Sequence, residues 1–184
     1  MADELIDIVD SLGNQTGRIR LKSEAHRLGL YHKSVHIWFY TLRGELLLQK
    51  RAINKDTYPN LWDVSVAGHI SAGETPEISA IREVEEEIGL KISIDDLEFL
   101  DIYLSKKEPA PGIVDNEFHH IYLSKLSIPL QKLKLQKEEV AAIKLLSIDD
   151  FKNELSNSLD KNKYVPHDES YFHLIIDEIN KRIH

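Results

Sequence analysis

Three glutamates, Glu83, Glu86 and Glu87, fall at i, i+3 and i+4 in a stretch that nothing breaks between Pro76 and Gly89. On a helix they share one face, and like charges on adjacent turns cost roughly 0.2–0.5 kcal/mol per pair. A hard divalent cation reverses that sign, because Mg²⁺ is held by oxygen, usually one or two carboxylates together with substrate phosphates. Arg82 stands among the acids, where a guanidinium can orient a carboxylate through paired hydrogen bonds. Glu74 precedes the helix, and Gly68 lets a loop bring backbone close to a metal or ligand. Three glutamates alone read as a solvated acidic face. With Gly68, Glu74 and Arg82 beside them, that solvated-face reading weakens in favour of a divalent-cation site.

The elements that must position these residues are marked in the chain. Thr75 suits an N-cap, Pro76 the first helical position and Gly89 the residue just past the end. Ile81, Val84 and Ile88 form a second face suited to a core. Residues 63–67 alternate and read as a strand running into Gly68. Upstream, residues 5–9 and 17–21 flank a turn and read as a hairpin. Residues 35–42 and 45–51 flank Arg43-Gly44 and read as a second, more buried hairpin. Residues 23–31 read as irregular, 54–61 as a loop with Pro59, and 106–112 as a loop with Pro109 and Pro111. Downstream, residues 97–105, 114–126 and 140–146 read as strands, with 128–136 irregular between the last two. Ser147 caps a helix beginning at 148, and residues 168–183 form a terminal helix with Phe172, Ile175, Ile176 and Ile179 on one side. Strands mixed with few helices predict α/β or α+β layers around one mixed sheet.

In order, the central stretch is Gly68, five residues, Glu74, seven residues, then Arg82-Glu83-Val84-Glu85-Glu86-Glu87-Ile88-Gly89-Leu90. It matches every fixed position of the Nudix box, so the chain resembles a Nudix hydrolase. The resemblance implies an α/β/α sandwich around a mixed β-sheet and a metal-dependent attack on a diphosphate linkage, with Mg²⁺ or Mn²⁺ as cofactor. It assigns Glu86 and Glu87 as metal ligands, and Glu83 as a ligand or as the residue that orients or deprotonates water. The Ala67 carbonyl becomes a further ligand, with Gly68, Glu74 and Arg82 supporting the network. Such enzymes often place one more acid outside the box; Glu138 and Glu139 are the candidates, with Glu139 preferred. Lys50, Arg51 and Lys55 could hold phosphates, or could keep a strand edge soluble. Trp38, Phe39, Tyr58 and Trp62 could stack on a ring of the substrate or belong to the core.

A narrower resemblance runs through GELLLQKRAINKDTYPNLWDVSVAGHISAGE, which looks like the isopentenyl diphosphate isomerase branch of the same superfamily. In that branch a metal is held by histidines and acids, and the matching residues are His26, His32, His69, Glu87, Asp115 and Glu117. Neutral imidazoles with carboxylates suit a divalent ion. Those isomerases use a cysteine just before the Gly-His pair. Here that position is Ala67, which has no titratable proton to give.

Bulk properties bound the rest. A chain of 184 residues suits a single Nudix domain spanning 1–184. A formal net charge of −8 argues against sequence-independent binding to a nucleic acid polymer or an anionic membrane, and leaves a small diphosphate substrate open. With no cysteine, no disulfide or thiolate site can form. The acidic N-terminus lacks the apolar run of a signal peptide, so a cytoplasmic enzyme is expected, its oligomeric state open and a homodimer included. Three functions compete: a pyrophosphohydrolase acting on a nucleoside diphosphate derivative or nucleotide, an isopentenyl diphosphate isomerase, and a non-catalytic diphosphate-binding module.

Overall fold

Two helices with well-formed ends and a forked sheet set the positions of the functional residues. The computed structural model describes residues 3–183. β1 (Leu5–Val9) and β2 (Gln15–Leu21) pair as a small antiparallel sheet, as the turn between them predicts. Ile6 and Ile8 point inward from it and are buried with Ala25. The stretch expected to be irregular instead contains α1 (Lys22–Leu28). This helix has no side-chain cap at its start, and only Gly29, in the left-handed region at φ 60°, marks its end. Burial of Ala25 holds it where propensity gives little sign of it.

The main sheet runs β5 (Trp62–Asp63), β4 (Glu45–Arg51), β3 (His32–Tyr40), β8 (Ile113–Lys125), β7 (Glu98–Ala110); β6 (Val66–His69) adds to β3 and β9 (Val140–Ser147) to β4. β3 and β8 are parallel and the other pairs antiparallel, so the sheet is mixed. The expected β3–β4 hairpin is a fork. The two strands meet at Tyr40 and Leu46 and then diverge, with β6 taking the place beside β3. The expected strand over 63–67 is therefore two short strands with Val64 and Ser65 in the fork. Ser65 Oγ donates to the Leu47 carbonyl and accepts from the Phe39 amide at 2.9 Å, so one side chain replaces ladder bonds lost where the strands part.

Alternation along β3 sorts its residues onto two faces. Val35, Ile37 and Phe39 pack with Leu47 against Ala80, Val84 and Ile88 of α2 (Pro76–Ile88). Trp38 and Tyr40 pack with Leu46 and Leu48 against α3 (Ile148–Ser156) and α4 (Glu169–Ile183), the latter through Phe172, Ile175, Ile176 and Ile179. The layers are α/β/α, as expected. Trp38 and Phe39 are thus core residues, and Trp62 packs against the same core under Lys144. β7 continues through the stretch expected to be a loop. It is an edge strand, where Pro109 need not donate to a ladder, and its pairing shifts register between Lys107 and Ala110. Among the described residues, no helix is long and apolar enough to cross a membrane.

Candidate active site and metal centre

α2 begins as its sequence predicts. Thr75 Oγ accepts from the Ile78 amide at 3.3 Å, Pro76 occupies the first turn, and Gly89 closes the helix at φ 65°. This sets Glu83, Glu86 and Glu87 beside the β6 loop. Arg82 is the hub. Its Nη1 donates to Glu83 at 2.7 Å and to Glu86 at 3.2 Å. Its Nη2 reaches Glu74 at 3.1 Å, the His69 carbonyl at 3.2 Å and Ser71 Oγ at 3.2 Å. Gly68 explains the close approach: a Cβ there would stand 2.1–2.5 Å from the Glu83 carboxylate atoms. Glu87 is buried, accepting from Gln49 at 3.1 Å and from the Ala67 amide at 3.4 Å. Burial, opposed by Arg82, pushes the Glu83 carboxyl up to about 7; burial and the nearby Glu83 push Glu87 up to about 8. Buried carboxylates with raised proton affinity are sites where a cation can replace the proton.

The residues of the second set converge more tightly. His26, His32, His69 and Glu117 each offer a ligand atom, and these four atoms lie within 4.8 Å of one another. His26 Nε2 is 3.2 Å from both His32 Nε2 and His69 Nε2. His32 Nδ1 lies 2.9 Å from the Leu30 carbonyl and can only donate to it, so a neutral His32 turns a bare Nε2 toward the centre. Burial opposes the charge on Glu117, but the His32 and His69 rings that face it hold its carboxyl well below the usual range. Burial and the neighbouring imidazoles push His26 down to about 3. Asp115 lies 3.7 Å from His26, and burial with Glu117 raises it to about 7. Nitrogen lone pairs facing one another around an ionised carboxylate fit a divalent ion.

Both sets open on one cleft of about 390 Å³. Arg51, Lys55 and Glu139 line it; Glu138 and Lys50 do not. Alternation along β4 turns Lys50 away from the face of Gln49 and Arg51, which is why it lies off the cleft lining. Arg51 is already engaged, donating to Asp63 at 3.3 Å and to the Thr57 carbonyl at 3.1 Å. Lys55 pairs with Glu139. Of the four aromatic candidates, only Tyr58 lines the cleft, held at φ 49°. Sequence reasoning missed Lys22, at the start of α1, and the polar wall of Ser34, His36, Asp63, His119 and His167. The period-two pattern of His32, Ser34 and His36 on β3, and of Glu117 and His119 on β8, was the available signal.

An α/β/α sandwich whose glycine loop abuts an arginine-centred acid helix defines a class of hydrolases. The NUDIX domain family matches residues 30–168, and the chain belongs to it. Nudix hydrolase 3 of Arabidopsis thaliana is 42% identical over 172 residues, 91% of this chain, although the match spans 22% of that protein's length. An uncharacterized Nudix hydrolase of Clostridium acetobutylicum is 31% identical over 203 residues, covering 96% of this chain and 97% of that protein. The isopentenyl-diphosphate Delta-isomerase of Streptomyces griseus is 32% identical over 120 residues, 65% of this chain and 60% of its own. A crystal structure from Deinococcus radiodurans shares the fold at a TM-score of 0.63 and 19% identity, covering 87% of this chain and 97% of its own.

Proposed function

We propose that this protein is a divalent-metal-dependent pyrophosphohydrolase that cleaves a diphosphate linkage in a nucleoside diphosphate derivative or nucleotide. The observation that carries the reading is the Arg82 hub, which joins Glu74, Glu83 and Glu86 to the loop at Gly68. Glu83, Glu86, Glu87 and the Ala67 carbonyl would hold the metal, Mg²⁺ or Mn²⁺. Such an ion would supply Lewis-acid chemistry there, polarising the phosphate and activating water. Arg82 keeps Glu83 and Glu86 at fixed spacing so that little reorganisation is needed on binding. Glu83 orients water or accepts its proton. Glu139, paired with Lys55, keeps that ammonium turned into the cleft, where Lys55 and Lys22 meet phosphate oxygens as point charges. Arg51 anchors the loop carrying Thr57 and Tyr58.

A second reading, isomerisation of isopentenyl diphosphate, is favoured by the His26–His32–His69–Glu117 cage. Against it, Ala67 stands at the proton-handling position and the chain has no cysteine. A non-catalytic diphosphate-binding module would not need an arginine holding three acids in place. The test is a panel of diphosphate compounds with Mg²⁺ or Mn²⁺, read by release of the two monophosphate halves, or of phosphate or pyrophosphate where the compound is a free nucleotide. Hydrolysis of a nucleoside diphosphate compound, lost in Glu87→Gln, is expected. A panel without release, or isomerisation of isopentenyl diphosphate, overturns the reading.

A further inference from the structure

The acids and the histidine cage occupy one part of the cleft. Another part is walled by polar side chains that neither set uses. His36 and His119 stack with ring centroids 3.9 Å apart, and the His36 and His167 centroids are 5.6 Å apart, edge to face. The rings of His36 and His119 are buried, and His167 is nearly so.

Hydrogen bonding fixes what this wall presents. Tyr171 Oη accepts from Trp38 Nε1 at 2.9 Å, so its own proton is free to donate to His36 Nδ1 at 2.7 Å. With Nδ1 accepting from Tyr171, the ring proton of His36 sits on Nε2. Asp63 accepts from Arg51 at 3.3 Å and from its neighbouring Val64 amide at 2.8 Å, and these contacts keep it a carboxylate. It therefore accepts from His167 Nε2 at 2.9 Å, which leaves Nδ1 as the free nitrogen of that ring. Ser105, buried on β7, also lines the cleft. Among the described residues, His36 Nε2, His167 Nδ1 and Ser105 Oγ have no protein partner, and none of them is sealed from solvent. The wall thus offers two imidazole nitrogens and a hydroxyl, all able to hydrogen-bond, on side chains that are otherwise packed. A hydrocarbon laid against it would strand all three, at a cost that a hydrogen-bonding group avoids.

We propose that His36, His167 and Ser105 select a hydroxyl-bearing group of the pentose kind attached to the diphosphate, and disfavour a prenyl chain. The inference rests on the diphosphate reading above and names the substrate half that the acids do not touch. Ser105→Ala is the clean variant, since it removes a hydroxyl that holds nothing in the protein. His167→Phe, which keeps a flat ring, is the second.

The test measures binding of two monophosphates, ribose 5-phosphate and isopentenyl monophosphate, to the Mg²⁺-loaded protein by calorimetry, with histidine ring signals followed by NMR. Ribose 5-phosphate should bind the tighter of the two and shift the His36 and His167 ring signals. Ser105→Ala should weaken it about three- to tenfold and leave isopentenyl monophosphate unchanged. His167→Phe should lower the same preference with the far-UV spectrum intact. Equal or tighter binding of isopentenyl monophosphate, binding of neither compound, or an unchanged preference in both variants overturns the proposal. Binding is read without turnover, so a protein that keeps the preference but cleaves no diphosphate compound would sink the hydrolase reading alone.

Discussion

Gly68→Ala isolates the placement of Glu83. A methyl group at position 68 would meet Glu83 Cδ at 2.1 Å and its two oxygens at 2.3 and 2.5 Å. Ordinary carbon contacts are about 3.5–4 Å, so something must shift by about an ångström. The carboxylate is the far end of a flexible side chain, whereas α2 is packed by Ala80, Val84 and Ile88. Glu83 therefore swings away and loses its 2.7 Å bond to Arg82, a charge-assisted contact of about 1.5–3 kcal/mol. Leaving a site that resists its charge offsets part of that loss, so the melting temperature should fall by only a few degrees. Misplacing a catalytic group by about 1 Å costs about 100-fold, and diphosphate turnover should fall by that order. Chromatography of the monophosphate products, with thermal melts on the same preparation, reads both effects. Turnover within about threefold of wild type would refute the reasoning that Gly68 exists to seat Glu83.

Other perturbations probe the rest of the site. Glu87→Gln should leave the fold intact and cut turnover by orders of magnitude; near-normal rates at low Mg²⁺ would remove Glu87 from the ligand set. In chelator, Glu83 and Glu87 in the folded protein keep protons up to about 7 and about 8, while the unfolded chain releases them near 4.5. The folded state then binds more protons across that window, so melting temperature should decline from about pH 5 to pH 8, less steeply in Glu87→Gln. A cation that binds only the folded site stabilises it by about 2.7 kcal/mol at 100 times its dissociation constant, so Mn²⁺ should raise the melting temperature by several degrees where equal ionic strength of NaCl does not. If Glu86→Gln/Glu87→Gln keeps the full Mn²⁺ shift, the stabilising ion sits in the histidine cage, and His32→Gln should then abolish it. No dimethylallyl diphosphate should form from isopentenyl diphosphate; its appearance above background would overturn the role given to Ala67.

Local signals and long-range pairing were unequally legible in the sequence. The ends of α2 could be read because Thr75, Pro76 and Gly89 act on backbone groups within one turn of themselves. The acid network followed, since spacing along a helix fixes which side chains share a face. α1 escaped because it is seven residues long, uncapped at its start and held by tertiary contact. The fork between β3 and β4 escaped because adjacent strands in sequence suggest pairing, while the competition from β6 is invisible locally. The position of Lys50 off the cleft lining was hidden for a related reason: charge names a candidate, but only the pleat decides its face. The wall of His36, Asp63 and His167 draws on three distant elements and could be assembled only from coordinates.

β6 is four residues long, yet it serves both halves of the chemistry. The Ala67 amide touches Glu87, Gly68 leaves room for Glu83, and His69 enters the cage. Successive strand residues face opposite ways, so adding or removing one residue here reverses every side chain. Such a change would put a Cβ against Glu83 and withdraw His69 in a single event. The two centres therefore share a point of failure: substitutions can alter one and spare the other, but a change of length in this strand disables both together.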